Sequence, residues 1–258
     1  MRNFLIDTAN QAGLKLRSFF GKAIKRYSKD DFGDFVTTAD YAAEKIILAS
    51  IEKKFPHDNI LSEEAGEINI SADSEYTWIV DPLDGTKNFA SGIPLFGTTI
   101  ARMRKNEIVE AVIFNPMQNE MFYAKKGHGA FLNGRRIHAS QKKETEHLMS
   151  GVGNVRSRTD NKCYDNIRCA FYKISSGFRV YGSAVIDLSY TACGRMDAFV
   201  LGGPYPWDIA AGGLIIQEAG GIITAVNGDK WDPMANKQEI LVSGNKILHK
   251  KLLKIIKK

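Results

Sequence analysis

The chain has 258 residues, 44% of them hydrophobic and 25% charged, which is enough apolar material for a sizeable core in one large domain or two closely packed ones. No run approaches the roughly 18 consecutive apolar residues of a membrane-spanning helix, and the charged, amphipathic N-terminus has no apolar signal-peptide centre, so a soluble, cytoplasmic protein is predicted. The net charge of +6 does not indicate nucleic-acid binding: residues 246–258 hold six lysines and no acid, and the rest of the chain has 29 basic and 29 acidic residues, with no basic patch interleaved with aromatics.

Leu5, Ala9, Ala12, Leu16 and Phe19 share one face of a predicted helix over 3–20, and Gly21 stops it. A second helix starts at Thr37 or Thr38, both good N-caps, and runs to Phe55 ahead of Pro56. Strand-like runs follow at 76–81, 95–103, 108–114 and 120–125, with turns at Lys105-Asn106 and Met117-Gln118-Asn119, so 82–136 reads as antiparallel sheet. Beyond 147 the pattern alternates. Strands are predicted at 148–152, 178–181, 196–201, 222–226 and 240–242, and helices at 160–172, 184–193 and 207–219. This alternation predicts helices covering mixed sheets in an α/β or α+β assembly. A division within 141–147 would separate an N-terminal part, 1–145, from a C-terminal part, 146–258.

The lysine-rich tail places Ile247, Leu248, Leu252, Leu253, Ile255 and Ile256 near helical spacing. It could lie on an anionic membrane, but a helix packed on its own domain with its lysines in water is the expectation. The odd number of cysteines, Cys163, Cys169 and Cys193, without paired metal-type spacing, argues against structural disulfides and predicts ordinary buried or half-buried thiols.

Chemistry concentrates where the apolar run Trp78-Ile79-Val80 meets Asp81-Pro82-Leu83-Asp84-Gly85-Thr86. Pro82 cannot continue a central ladder, so the strand is expected to stop there, and Gly85 loosens the turn beyond it. Strand ends are where open α/β sheets place ligands. Asp81 and Asp84 would repel each other at such an end unless a positive group lay between them, and a hard divalent cation is the economical candidate. Two further acidic segments sit at element boundaries: Glu63-Glu64 after Asn59-Ile60-Leu61, and Asp208 at the start of an apolar helix. Singly, each acid has an ordinary explanation as a turn residue or a partner of the helix dipole.

Together, the Asp-Pro-Leu-Asp-Gly-Thr run, the Glu-Glu about 20 residues upstream and Trp207-Asp208 before Ala210-Ala211-Gly212-Gly213 resemble the inositol monophosphatase family. The likeness extends from Asp34 through Asp40 to Glu218-Ala219-Gly220-Gly221. It implies a layered αβαβα sandwich, commonly a homodimer, that uses two or three Mg²⁺ ions to hydrolyse a phosphate monoester and is lithium-sensitive. By motif position, Glu63, Asp81 and the Leu83 carbonyl would hold the first metal. Asp81 would bridge to a second metal held by Asp84 and Asp208. Glu63 and Thr86 would accept or relay the proton of the attacking water, with Asp40 orienting Thr86. Gly85 and Thr86 would offer backbone N–H groups to phosphate, and Asp84, Gly182, Ser183 and Ala184 would meet the substrate. Lys29 matches a family lysine near the mobile metal loop, or is an exposed loop lysine. None of the five histidines lies in these motifs, which disfavours zinc.

Inositol-specific members carry a glutamate seven residues before the aspartate at position 208, where it holds an inositol hydroxyl. Leu201 stands there, and no acid occurs between Asp197 and Asp208. A leucine cannot accept that bond. Inositol-1-phosphate is the first expectation for the substrate; fructose-1,6-bisphosphate, another polyol or sugar phosphate and a 3′-phosphonucleotide are alternatives. Phe178, Tyr181 and Tyr205 could line an adenine pocket, though core or rim positions are the simpler expectation. A non-catalytic relative that binds a metabolite or a protein would be expected to lose metal ligands first, yet Glu63, Asp81, Asp84, Thr86 and Asp208 are all present.

Overall fold

The computed structural model describes residues 1–29, 35–69, 71, 73–153 and 162–256, apart from the side chains of 162–164. In chain order, the first half contains α1 (Arg2–Phe19), β1 (Arg26–Ser28), β2 (Phe35–Thr37), α2 (Thr38–Lys54), β3 (Asn59–Ser62), β4 (Gly66–Ile68), β5 (Tyr76–Asp84), α3 (Thr86–Ala90), β6 (Gly97–Arg104), β7 (Glu107–Asn115), β8 (Glu120–Lys125), β9 (Gly129–Leu132) and β10 (Arg135–Arg136). The second contains β11 (Leu148–Val152), α4 (Lys162–Ile174), β12 (Ser175–Arg179), α5 (Ala184–Ala192), β13 (Ala198–Leu201), α6 (Pro206–Glu218), β14 (Ile222–Ala225), β15 (Ile240–Ser243) and α7 (Lys246–Ile256).

Strands β10-β9-β8-β7-β6-β5-β3-β4 form an eight-stranded sheet and β12-β11-β13-β15-β14 a five-stranded one. Alternation along each strand assigns its two faces to different cores. Trp78 and Val80 of β5 pack with α1 and α2, while Ile79 faces α5 and α6. Phe199 and Leu201 of β13 join that same central core, while Ala198 and Val200 face α4 and α7. The result is five layers, αβαβα, with α5 and α6 in the middle.

α6 fills that middle layer because it is apolar on all sides; Ile209 through Ile216 are buried without a break. In contrast, α7 buries only Leu248, His249 and Leu252, and turns Lys250 to water. The tail is therefore a packed helix of the outer layer. No described helix is long and apolar enough to cross a membrane.

Three differences from the sequence expectation follow from tertiary context. The expected helix over 160–172 runs on to Ile174, and its positions 160–161 lie outside the described residues. The strand expected at 178–181 lies at Ser175–Arg179, pulled forward by its parallel pairing with β11. Cys169 is exposed rather than buried: α4 turns Ile167 and Phe171 inward, which leaves position 169 on the outer side. Cys193 is half-buried and free, as expected.

Candidate active site

The centre of the site is an irregularity in β5. Asp81 pairs with Thr99 of β6 and Asp84 with Gly97, so three steps along β5 match two along its neighbour. In a regular pleat, residues three apart face opposite sides of the sheet. One extra residue reverses this, and the bulge brings both carboxylates to the same side. The strand does not stop at Pro82 as expected but continues to Asp84. The missing N–H of Pro82 falls inside the bulge, where the ladder is already broken. Asp81 Oδ1 accepts the Leu83 N–H at 2.9 Å and holds the bulge closed.

The C-terminal half supplies the rest. Asp208 lies in the first turn of α6, where its Oδ2 accepts the Tyr205 N–H at 2.7 Å and satisfies a donor at the helix start. Asp84 Oδ2 accepts from Ser183 Oγ and, at 3.1 Å, from the Val185 N–H, so the start of α5 is docked on it. Carboxylate oxygens of Asp81, Asp84 and Asp208 all come within 4.8 Å of one another, and the three residues are 1%, 7% and 5% exposed. Three buried carboxylates this close fit a hard, oxygen-preferring divalent cation by charge and by ligand type.

The remaining predicted residues form a second group beside this trio. Glu63 is bonded through its N–H to Val80 O at 3.1 Å, one residue before Asp81. Its Oε1 lies 3.2 Å from Lys29 Nζ, which also sits 2.5 Å from Glu64 Oε1. Burial pulls the Lys29 pKa down, but Glu63 and Glu64 more than offset this, and the net shift is upward. Burial, assisted by the charge of Glu63, pushes Glu64 up to about 7 despite Lys29. Lys29 is thus an ion-pair partner of the acidic turn, not a solvated loop lysine.

Asp40 is the third residue of α2, and its Oδ2 accepts the Thr37 N–H at 2.9 Å and the Thr37 hydroxyl at 2.5 Å. Burial pushes it up to about 6, against the lowering effect of those bonds. Its Oδ1 lies 3.3 Å from Thr86 Oγ1, which is also 3.0 Å from the Leu83 carbonyl oxygen. The Thr86 hydroxyl therefore stands between its expected orienting carboxylate and one of the expected metal ligands.

Gly85 is left-handed at φ 89°, and a Cβ there would lie 3.0 Å from Leu95 O and 3.2 Å from Ser183 Cβ. Gly182, φ 73°, passes close to Asn88, whose Nδ2 donates to the carbonyls of Leu95 and Tyr181 at 2.7 Å. Ser183 is buried by its bond to Asp84, and half-buried Ala184 opens α5. Leu201 is 5% exposed and folds against Gly153; a Cβ at 153 would meet Leu201 Cδ1 at 2.1 Å. Tyr205 stacks on Trp207 at 5.0 Å, Tyr181 packs on Tyr190, and Phe178 on exposed Tyr172.

Three residues escaped sequence reasoning. Glu44, Asn88 and Asp187 are ordinary helix residues by pattern, and only Glu44, four positions after Asp40 on the same helical face, carried a usable signal. Asp34, at the start of the resemblance, lies outside the described residues.

Five layers with a carboxylate-lined strand end facing the starts of two central helices define the class, a metal-dependent phosphomonoesterase. The sequence model of the inositol monophosphatase family matches residues 1–258, and the chain belongs to that family. It is 40% identical to the inositol-1-monophosphatase of Mesorhizobium japonicum, over 99% of this chain and 96% of that one. It is 37% identical to the Nus factor SuhB of Escherichia coli, over 88% and 86% of the two chains. Among solved structures it superposes on the extragenic suppressor protein suhB of Bartonella henselae with a TM-score of 0.93 at 37% identity, covering 100% of this chain and 98% of that one.

Proposed function

We propose that the chain hydrolyses inositol-1-phosphate with Mg²⁺. The observation that carries the phosphatase reading is the buried Asp81–Asp84–Asp208 trio, assembled from both halves of the chain. These acids, with Glu63 and the Leu83 carbonyl, would hold the ions. Bound Mg²⁺ supplies charge neutralisation for a phosphate dianion and makes a water more acidic. The Asp40–Thr86 contact supports a proton path in which Thr86 Oγ1 orients or relays and Asp40 fixes the hydroxyl. The tight approach at Gly85 supports a phosphate seat against main-chain N–H groups.

The name of the Mesorhizobium relative favours inositol-1-phosphate. The buried, apolar Leu201 favours testing other phosphates beside it. The Nus factor name of the Escherichia coli relative raises a binding role without catalysis as the competing reading. Phosphate release from inositol-1-phosphate, fructose-1,6-bisphosphate, glycerol-2-phosphate, histidinol phosphate and 3′-phosphoadenosine 5′-phosphate, with and without Mg²⁺, separates them. Mg²⁺-dependent release that is fastest with inositol-1-phosphate is expected. A different preferred ester would replace the substrate and keep the reaction, and no release from any ester would favour the binding role.

A further inference from the structure

Glu44 is a 6% exposed acid on α2, one helical turn after Asp40 and on the same face. Its Oε1 accepts the Ser62 hydroxyl at 2.5 Å and the Ala65 N–H at 2.9 Å. These two donors bracket Glu63 and Glu64 in the turn that joins β3 to β4. On the opposite side, the Glu63 N–H is fixed to Val80 of β5. The turn that carries Glu63 is therefore held both by the strand that carries Asp81 and by the helix that carries Asp40.

We infer that Glu44 is a positioning residue for the metal site, holding Glu63 at its distance from the Asp81–Asp84–Asp208 trio through two hydrogen bonds. The inference rests on the assignment of Glu63 as a metal ligand. The charge balance of the turn explains why a clamp is needed. Lys29 draws both Glu63 and Glu64 toward the end of β1. The pairing of Ser62 with Gly66 closes the turn at its base, and the Glu44 bonds add an anchor within it that opposes that pull and keeps the Glu63 carboxylate available to a cation. Partners that hold a metal ligand in place are typically worth about 10- to 100-fold in metal affinity. Both bonds fall on one carboxylate oxygen, so a glutamine, which retains a carbonyl oxygen, can replace Glu44.

The test is calorimetric titration of the intact chain with Mg²⁺ alone, alongside circular dichroism and turnover as a function of Mg²⁺. Glu44→Ala is expected to weaken Mg²⁺ binding by about 10-fold, at the low end of that range, and to raise the Mg²⁺ needed for half-maximal turnover more than it lowers kcat. Glu44→Gln is expected to bind within about twofold of the parent, and Ser62→Ala, which removes one of the two bonds, to fall between. If Glu44→Ala does not fold, Ser62→Ala decides. Wild-type Mg²⁺ affinity in a folded Glu44→Ala or in Ser62→Ala overturns the inference, as does a Glu44→Gln variant as weak as Glu44→Ala. Glu63→Gln is the control: if its affinity is unchanged, the assignment of Glu63 fails and the inference with it. If Glu63→Gln loses affinity and the clamp variants do not, the inference fails alone.

Discussion

Glu63 and Glu64 face an ammonium that the chain itself supplies, whereas the donors identified on Asp81, Asp84 and Asp208 are main-chain amides and one serine hydroxyl. The two acidic groups are neighbours in one site: two acids share a lysine in the first, and three acids crowd together in the second. The glutamate pair sets one ammonium against two carboxylates, so part of its charge is met within the protein and part is left for a cation. The aspartate trio places its charges within 4.8 Å of one another and gains from an added cation. Asp187, on α5 one turn beyond Ser183, shows a third solution. It is fully buried, neither of its carboxyl oxygens has a hydrogen-bond partner among the described residues, and burial, with the charge of Asp84 added, raises its pKa well above the ordinary value. Its burial therefore favours the protonated form. A lysine beside two glutamates, three crowded aspartates and one fully buried aspartate thus lie in one small region, and each makes the protein respond to a different variable.

The trio is where the largest effect is expected. Asp81→Asn and Asp208→Asn should reduce turnover to background with the fold retained by circular dichroism. Without Mg²⁺, both should melt above the parent, by about 2–4 °C for each kcal/mol of repulsion removed. Near-parental Mg²⁺-dependent activity in either variant would break the contrast between the two acidic groups.

Lys29→Met tests the other side of the comparison. Removing the built-in cation should cost about 1.5–3 kcal/mol of Mg²⁺-free stability, the usual worth of hydrogen bonds to charged groups. Added Mg²⁺ should then recover more stability in the variant than in the parent. Denaturant melts at several Mg²⁺ concentrations check both statements, and an equal Mg²⁺ response in the two proteins would show that the glutamate pair and the trio are electrostatically independent.

The smallest effect is expected at Asp187. Its folded pKa lies above the 3.8 of an ordinary aspartate, so the folded state keeps a proton that the unfolded chain releases as pH rises from about that value. Stability contributed by this group therefore falls with increasing pH through the window between the two pKa values. Asp187→Asn removes the titration. It should match the parent near pH 4 and exceed it in melting temperature at pH 8; equal melting at both would mean that the proton is not what neutralises this site.

Much of this was legible along the chain, for identifiable reasons. The helix at α1 was clear because Leu5, Ala9, Ala12 and Leu16 recur at helical spacing, and all four are fully buried. The start of α2 was clear because Thr37 is a good N-cap, and it caps that helix. Asp81 and Asp84 were suspicious because like charges rarely share a strand end, and Asp208 because it opens an apolar helix. Other features gave no such signal. Pro82 spoke for the end of a strand, and only the register against β6 reveals a bulge that lets the strand run on. Lys29 was indistinguishable from a loop lysine until its ammonium was found between Glu63 and Glu64. Ser183 was expected to read the substrate, yet its hydroxyl docks the start of α5 onto Asp84.

The sequence by itself determined most of the helices and longer strands, the family and the identity of the acids, because propensity, capping and motif spacing are local properties. Tertiary structure alone decided which acids share an ion-sized space. Asp208 lies more than a hundred residues from Asp84, and the two meet only because α5 and α6 form the layer between the sheets. It also decided that Lys29 meets Glu63 and Glu64 and that Asp187 is fully buried, because desolvation and the distance to a lysine exist only once the layers have packed.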